Sequence, residues 1–355
     1  MAMQAVTLDQ LKNMLPMYWH TKLPIFLWGT SGAAKSTSCH MFVDEMRKDD
    51  PEFGMIDLRA SQLDPVDTRG IPSIDKEKKE AEWIPFNSFP NEERDGKRGI
   101  LLLEEFNSAV PAVQCTFYQL LFDRKIGEYK LPDGWVVWAL GNRSEDNGVT
   151  FDVPAPNANR FAGHLFVSPT VNDFVNFGIE TDEIREEVLC FMLWRPELLF
   201  SFNSERNDMT FGSMRTWTYV SKLMDSWEET NGKLDLRKPD PLFQIAIKNC
   251  VGEGEGTEFI GYLDYHGRTP NIDNCLNNPD DSDVPSEMQI LWAMVGGMVT
   301  RYKNNRQLAG RILRYSTRMH AEFASVLAKQ CIQIDGEFAE NPEYMAFVHK
   351  FGSVL

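Results

Sequence analysis

The residues best suited to chemistry in this 355-residue chain sit in the stretch FLWGTSGAAKSTSCH, residues 26–40. Gly29, Gly32, Lys35 and Ser36 stand at the offsets of a phosphate-binding loop. In such a loop successive backbone N–H groups turn onto phosphate oxygens, a lysine adds a point charge, and a hydroxyl at a helix N-terminus reaches magnesium. Thr30, Ser31, Ala33 and Thr37 complete the cradle. Ala34 stands where glycine is usual. Its methyl costs little if φ is negative there and about 1–2 kcal/mol if φ is positive, and neither case removes a phosphate ligand. Taken alone, the loop also fits an ordinary glycine turn followed by an exposed lysine.

A second constellation lies one loop-helix-strand unit further on. ILLLEE, residues 100–105, puts adjacent carboxylates at the end of an apolar run, where an acidic pair is costly unless it meets a cation or water. Hydrolysis of a nucleoside triphosphate needs two such acids, one beside the magnesium shell and one to orient and deprotonate the attacking water. Glu104 suits the first role and Glu105 the second.

The elements that must position these groups follow from the apolar pattern. Residues 23–167 alternate short apolar runs with helical spacing, the pattern of a parallel sheet wrapped by helices. LPIFLWG, GMIDLRAS (54–61), RGILLLEEFN (98–107), WVVWALGN (135–142) and GHLFVSP (163–169) read as strands. Ile100, Leu101, Leu102 and Leu103 fit a strand buried on both faces. KSTSCHMFVDEMRK and PAVQCTFYQLLFDRK read as helices, the latter with proline at its start. GEYKLPDGWVV (127–137) reads as a hairpin with a Pro-Asp-Gly turn. DTRGIPSIDKEKKEAEWIPF (67–86) is an insertion charged in its middle and anchored by Trp83 and Phe86; it fits either a solvated loop or a partner-binding segment. From about residue 170 the spacing turns helical. Trp217, Val220, Leu223, Met224 and Trp227 form one core stripe, and Ile290, Leu291, Met294, Val295, Met298 and Tyr302 another. NIDNCLNNPDDSDVPS (271–286) reads as a surface loop. The expected organisation is an α/β core over residues 1–169 and a helical region over 170–355.

With 52 Asp and Glu against 36 Lys and Arg, the net charge is -16, which argues for protein partners and against a free-standing duplex-DNA binder. The six cysteines, at 39, 115, 190, 250, 275 and 331, show no C-x-x-C pair or nearby histidine pattern. Neither a zinc site nor a disulfide frame is expected, and the six histidines receive no chemical role. The N-terminal stretch lacks a basic start followed by an apolar run, and no segment has the apolar length of a membrane span; a cytoplasmic protein is expected.

In order and spacing, GTSGAAKST, LRASQLDPVDTRGIP, the segment ILLLEEFNSAVPAVQCTFYQLLFDRKIGEYKLPDGWVVWALGNR and VPAPNANRF resemble the AAA+ ATPases of the MoxR type found in bacteria and their phages. The resemblance is strong over residues 20–230 and loose beyond. It implies a P-loop α/β nucleotide core, a helical lid and a hexameric ring with ATP between neighbouring subunits. It implies Lys35 as the β/γ-phosphate ligand, Ser36 and Glu104 at magnesium, and Glu105 as the catalytic acid. Asn142 then helps position the attacking water, although a turn-forming asparagine fits equally. Arg160 would be the finger reaching a neighbour's site, where a surface ion pair is the plainer reading. Arg215 would couple lid closure to the γ-phosphate. Glu104 stands where the family usually has aspartate, and its extra methylene could slow turnover.

The function expected is Mg-dependent ATP hydrolysis driving remodelling of a protein partner. The resemblance implies a chaperone-like role, with a von Willebrand type A protein as a partner in trans. The alternative is a nucleotide-gated assembly module with weak hydrolysis or none. A motor on nucleic acid shares such a core, but the acidity counts against it.

Overall fold

The computed structural model describes residues 4–75, 80–84, 87–143, 150–203 and 209–352. The chain divides into two compact units, Met1–Thr170 and Val171–Leu355.

The first unit contains β1 (Ala5–Val6), β2 (Ile25–Trp28), β3 (Gly54–Arg59), β4 (Ile71–Asp75), β5 (Glu80–Ile84), β6 (Arg98–Glu104), β7 (Lys125–Ile126), β8 (Tyr129–Lys130), β9 (Gly134–Gly141) and β10 (Gly163–Val167). Six of them form one sheet in the order β1-β10-β2-β9-β6-β3, and every pairing in it is parallel. Ile100 to Leu103 are fully buried because the sheet is covered on both faces. On one face Ile100, Leu102, Trp138 and Leu165 pack with Leu11 and Leu15 of helix Leu8–His20 and with Cys39 and Val43 of helix Lys35–Asp49. On the other, Phe26, Leu101, Leu103 and Ala139 pack with Val113, Phe117 and Leu120 of helix Pro111–Asp123. The strand-to-strand alternation of these residues is the period-two geometry of extended backbone.

One strand beyond the expected five joins the sheet, and two local expectations in this unit change. The edge strand β1 is too short for its own apolar pattern and is held by pairing with β10. The hairpin near 127–137 closes earlier, between β7 and β8, with Gly127 at φ +53° in the turn. Pro132 to Trp135 instead form a bend, with the Trp135 N–H donating to the Pro132 carbonyl, that feeds β9 into the main sheet. The 67–86 insertion contains the antiparallel ribbon β4–β5. Trp83 is exposed there rather than an anchor, since a two-stranded ribbon has no layer beneath it; Phe86 lies outside the described residues.

The second unit is helical. Ile290, Leu291, Met294, Val295, Met298 and Tyr302 are all buried in helix Met288–Asn304. In helix Met214–Asn231 the buried stripe is Trp217, Val220 and Met224, with Leu223 turned outward. The polar stretch at 271–286 opens with the short helix Ile272–Asn277 instead of a loop throughout. The Asn271 side chain accepts from the Asn274 N–H, and Ile272, Cys275 and Leu276 are buried, so burial of these three outweighs the local turn preference. Among the described residues no helix is long and apolar enough to cross a membrane.

Candidate functional site

Because the strands are parallel, their C-terminal ends share one edge, the edge at which ligands bind in open α/β sheets. Gly29 follows β2, Glu104 ends β6, Asn142 follows β9, and Ser61 lies in the turn after β3.

Lys35 opens helix Lys35–Asp49. Its ammonium donates to the carbonyls of Gly29 at 2.7 Å and Thr30 at 2.9 Å, and to Asn142 Oδ1 at 3.1 Å. Two of these acceptors are neutral loop carbonyls, which a charged phosphate oxygen outcompetes. Asn142 is itself clasped from below. The buried Asn107 side chain donates to the Asn142 carbonyl at 2.8 Å and accepts from its N–H at 3.2 Å. Asn107 was not visible as a site residue in the sequence; a polar residue two positions after an acid pair was its only signal.

The loop geometry decides the question raised by Ala34. Its φ is 56° and ψ 24°, the left-handed region that costs an L-residue about 1–2 kcal/mol. Gly32 also has positive φ, 79°. Gly29 is needed for space, since a Cβ there would lie 2.8 Å from the Val167 carbonyl. Ala33 is buried, Thr30, Ser36 and Lys35 are half-buried, and Ser31 and Thr37 are exposed. Ser36 and Thr37 follow Lys35 in the first helical turn, where N–H groups lack intrahelical partners.

Glu104 is half-buried at the end of β6, and its Oε1 is buried with no hydrogen-bond partner among the described residues. A carboxylate oxygen orphaned in this way is costly without a cation, and a hard oxygen donor at the sheet edge that carries the phosphate loop suits magnesium. The residues present therefore fit that ion. Asp57 on β3, unremarked in the sequence, joins this acidic patch. Burial, then the Glu104 charge, raises its carboxyl above the usual range, against the pull of His40 Nε2 at 3.7 Å. Burial, then the charges of Glu104 and Asp57, pushes the Cys39 thiol up.

Glu105 has φ 53° and is exposed. It accepts a hydrogen bond from Ser61 Oγ at 2.5 Å. Thus the two glutamates diverge, Glu104 into the protein and Glu105 toward the neighbouring strand's turn.

Arg160 follows the short helix Ala155–Ala158, is exposed, and stacks 5.7 Å above the Tyr118 ring. It has no carboxylate partner among the described residues. Its segment is tied to the sheet by His164, whose Nδ1 accepts from Trp28 Nε1 at 3.0 Å while Nε2 donates to the Ala158 carbonyl at 2.8 Å. Arg215 belongs to the second unit. It is exposed in the first turn of helix Met214–Asn231, behind a capping box formed by Ser213 and Thr216.

No protein-family profile matches the chain, and no curated protein matches it. Among solved structures it is similar to NtrX of Brucella abortus, at 12% identity over 99% of this chain and 69% of that one, TM-score 0.41. It is similar to a RuvB mutant of Thermotoga maritima at 13% identity over 83% and 86%, TM-score 0.41. A third is ORC2 of Aeropyrum pernix in ADPNP and ADP complexes, at 9% identity over 97% and 85%, TM-score 0.40. Likenesses this distant carry no functional weight, so function is argued from the geometry of the site.

Proposed function

We propose that this protein binds and hydrolyses ATP as an AAA+ machine of the MoxR type, working as a ring on a protein partner. The observation that carries the reading is the meeting of Lys35 with Asn142 across adjacent parallel strands, beside the orphaned Glu104 oxygen. A cation, an amide and an unmatched carboxylate at one sheet edge are what a metal–triphosphate needs. Loop N–H groups and Lys35 bind the phosphates; Ser36 and Glu104 would hold magnesium, which supplies charge neutralisation when bound. Asn142 orients the water, and Glu105 takes its proton once released from Ser61. Arg160, exposed and without a carboxylate partner among the described residues, reaches a neighbouring subunit's nucleotide, and Arg215 couples lid closure to the γ-phosphate. The exposed apolar side chains Ile71, Ile74, Trp83 and Ile84 of the β4–β5 ribbon support a protein client.

The second reading, a nucleotide-gated assembly module, is favoured by the Ser61–Glu105 bond and by the strained Ala34. Steady-state phosphate release decides between them. The wild type should turn over with Glu105→Gln inactive, and equal rates would leave only the assembly module. Lys35→Ala should abolish nucleotide binding. Arg160→Ala should bind nucleotide without turnover, and mixing it with Glu105→Gln should restore activity if sites are shared.

A further inference from the structure

The second unit contains a cluster for which the cysteine and histidine spacing gave no sign. Glu186 and Cys190 lie one helical turn apart on helix Glu186–Trp194, and His266 comes from helix Glu253–Gly267. The carboxylate oxygen, thiol sulfur and imidazole nitrogen all lie within 4.8 Å of one another. We propose that Glu186, Cys190 and His266 form a binding site for a zinc ion.

Four features of the packing point to a ligand rather than to simple burial. His266 Nε2 is buried and makes no hydrogen bond; it faces Glu186 Oε1 at 3.8 Å, too long for one. The Tyr262 hydroxyl, one turn before His266, is buried with the Cys190 thiol, a weak partner, beside it. A buried imidazole nitrogen left unmatched is costly. Helix Met288–Asn304 presents two consecutive glycines to the cluster. A Cβ on Gly296 would lie 2.0 Å from Cys190 Sγ, and one on Gly297 would lie 2.7 Å from Glu186 Oε1. Mid-helix glycines cost about 1 kcal/mol each relative to alanine, and here they leave room at two of the three donors. Finally, Glu186 lines a cleft with Gly178, Glu183, Arg185, Thr300 and Lys303, which opens one of the three donors to the surface.

The donor set selects the metal class. One sulfur, one imidazole nitrogen and one carboxylate oxygen match borderline zinc, whereas calcium and magnesium take oxygen. With bond lengths of about 2.0–2.3 Å, tetrahedral donors stand about 3.3–3.7 Å apart, so no pair needs to close by more than roughly an ångström. The Tyr262 hydroxyl or water would fill the fourth position. Arg301 does not compete for the same atom, since its Nη1 lies 3.6 Å from Glu186 Oε2 and its Nε is held by Asp273 Oδ1 at 2.8 Å. Metal binding needs the thiolate and the carboxylate, and burial opposes both: it pushes the Glu186 carboxyl up to about 7 and raises the Cys190 thiol. Binding would therefore release the thiol proton, and the carboxyl proton where present, to solvent while the S–Zn and O–Zn bonds form. No electron is transferred.

Cobalt titration of chelator-stripped, full-length protein tests the site. The expected result is one equivalent of cobalt giving a near-ultraviolet thiolate-to-metal band that zinc abolishes. Cys190→Ser should lose the band, and His266→Gln should weaken zinc binding beyond the about 10–100-fold typical of outer-sphere changes. Lys35→Ala, a change in the first unit, should leave the band unchanged, so that failure here is distinct from failure of the proposed ATPase. Absence of the band from folded wild type, or an equal band in Cys190→Ser, would overturn the proposal. If Cys190→Ser does not fold, Glu186→Gln and the zinc-induced rise in wild-type Tm decide: retained wild-type affinity in Glu186→Gln, or no rise, also overturns it.

Discussion

Ser61 Oγ donates a 2.5 Å hydrogen bond to Glu105 Oε2, joining the turn after β3 to the residue after β6 across 44 positions of sequence. The acid read as the water-activating group is thus held by a neutral hydroxyl. Ser61→Ala should raise basal phosphate release about two- to tenfold, the range expected for removing part of a charge-assisted bond, while Glu105→Gln in the same background stays inactive. A fall in turnover would mean that Ser61 orients Glu105 instead of restraining it.

At Ala34 the backbone is left-handed, φ 56°. Ala34→Gly removes the steric cost but adds freedom to the unfolded chain, so a net gain of about 0.5–1 kcal/mol is expected. Chemical denaturation measures it. Turnover should be equal or higher; a collapse would show that the methyl group is part of the working loop.

Asn107 bonds both the N–H and the carbonyl of Asn142. Asn107→Ala should cost about 1–3 kcal/mol by stranding buried backbone groups. It should lower kcat while leaving nucleotide affinity little changed, because Lys35 and the loop N–H groups remain. A selective loss of affinity with kcat intact would contradict the positioning role.

The Asp57 carboxyl is raised by burial and by Glu104. A carboxyl raised in the folded state favours folding while protonated and loses that contribution as pH rises through the folded value. Asp57→Asn should therefore be more stable than wild type near neutral pH, with the gain shrinking in mild acid. Denaturation midpoints at the two conditions check this, and a gain that grows on acidification would refute it.

The motifs that proved legible are those whose signal is local. Gly29, Gly32 and Lys35 could be read because a strand, a turn and a helix start follow one another in sequence. The buried run before Glu104 declared a central strand for the same reason. The Pro-Asp-Gly turn misled because its residues suit more than one bend, and pairing with β6 drew the following strand into the main sheet. Likewise Asn-rich 271–286 hid a short helix, since burial of Ile272, Cys275 and Leu276 depends on neighbours far along the chain.

By itself the sequence determined the alternating layers of the first unit, the helical second unit and the residue types at the sheet edge, because periodicity and motif spacing act over a few residues. Only the tertiary structure decided the sign of φ at Ala34, the clasp of Asn107 on Asn142, the restraint of Glu105 by Ser61 and the convergence of Glu186, Cys190 and His266. Each of these is settled by packing between elements: hydrogen bonds and dry cavities are made by groups close in space, whose separation along the chain leaves no local pattern.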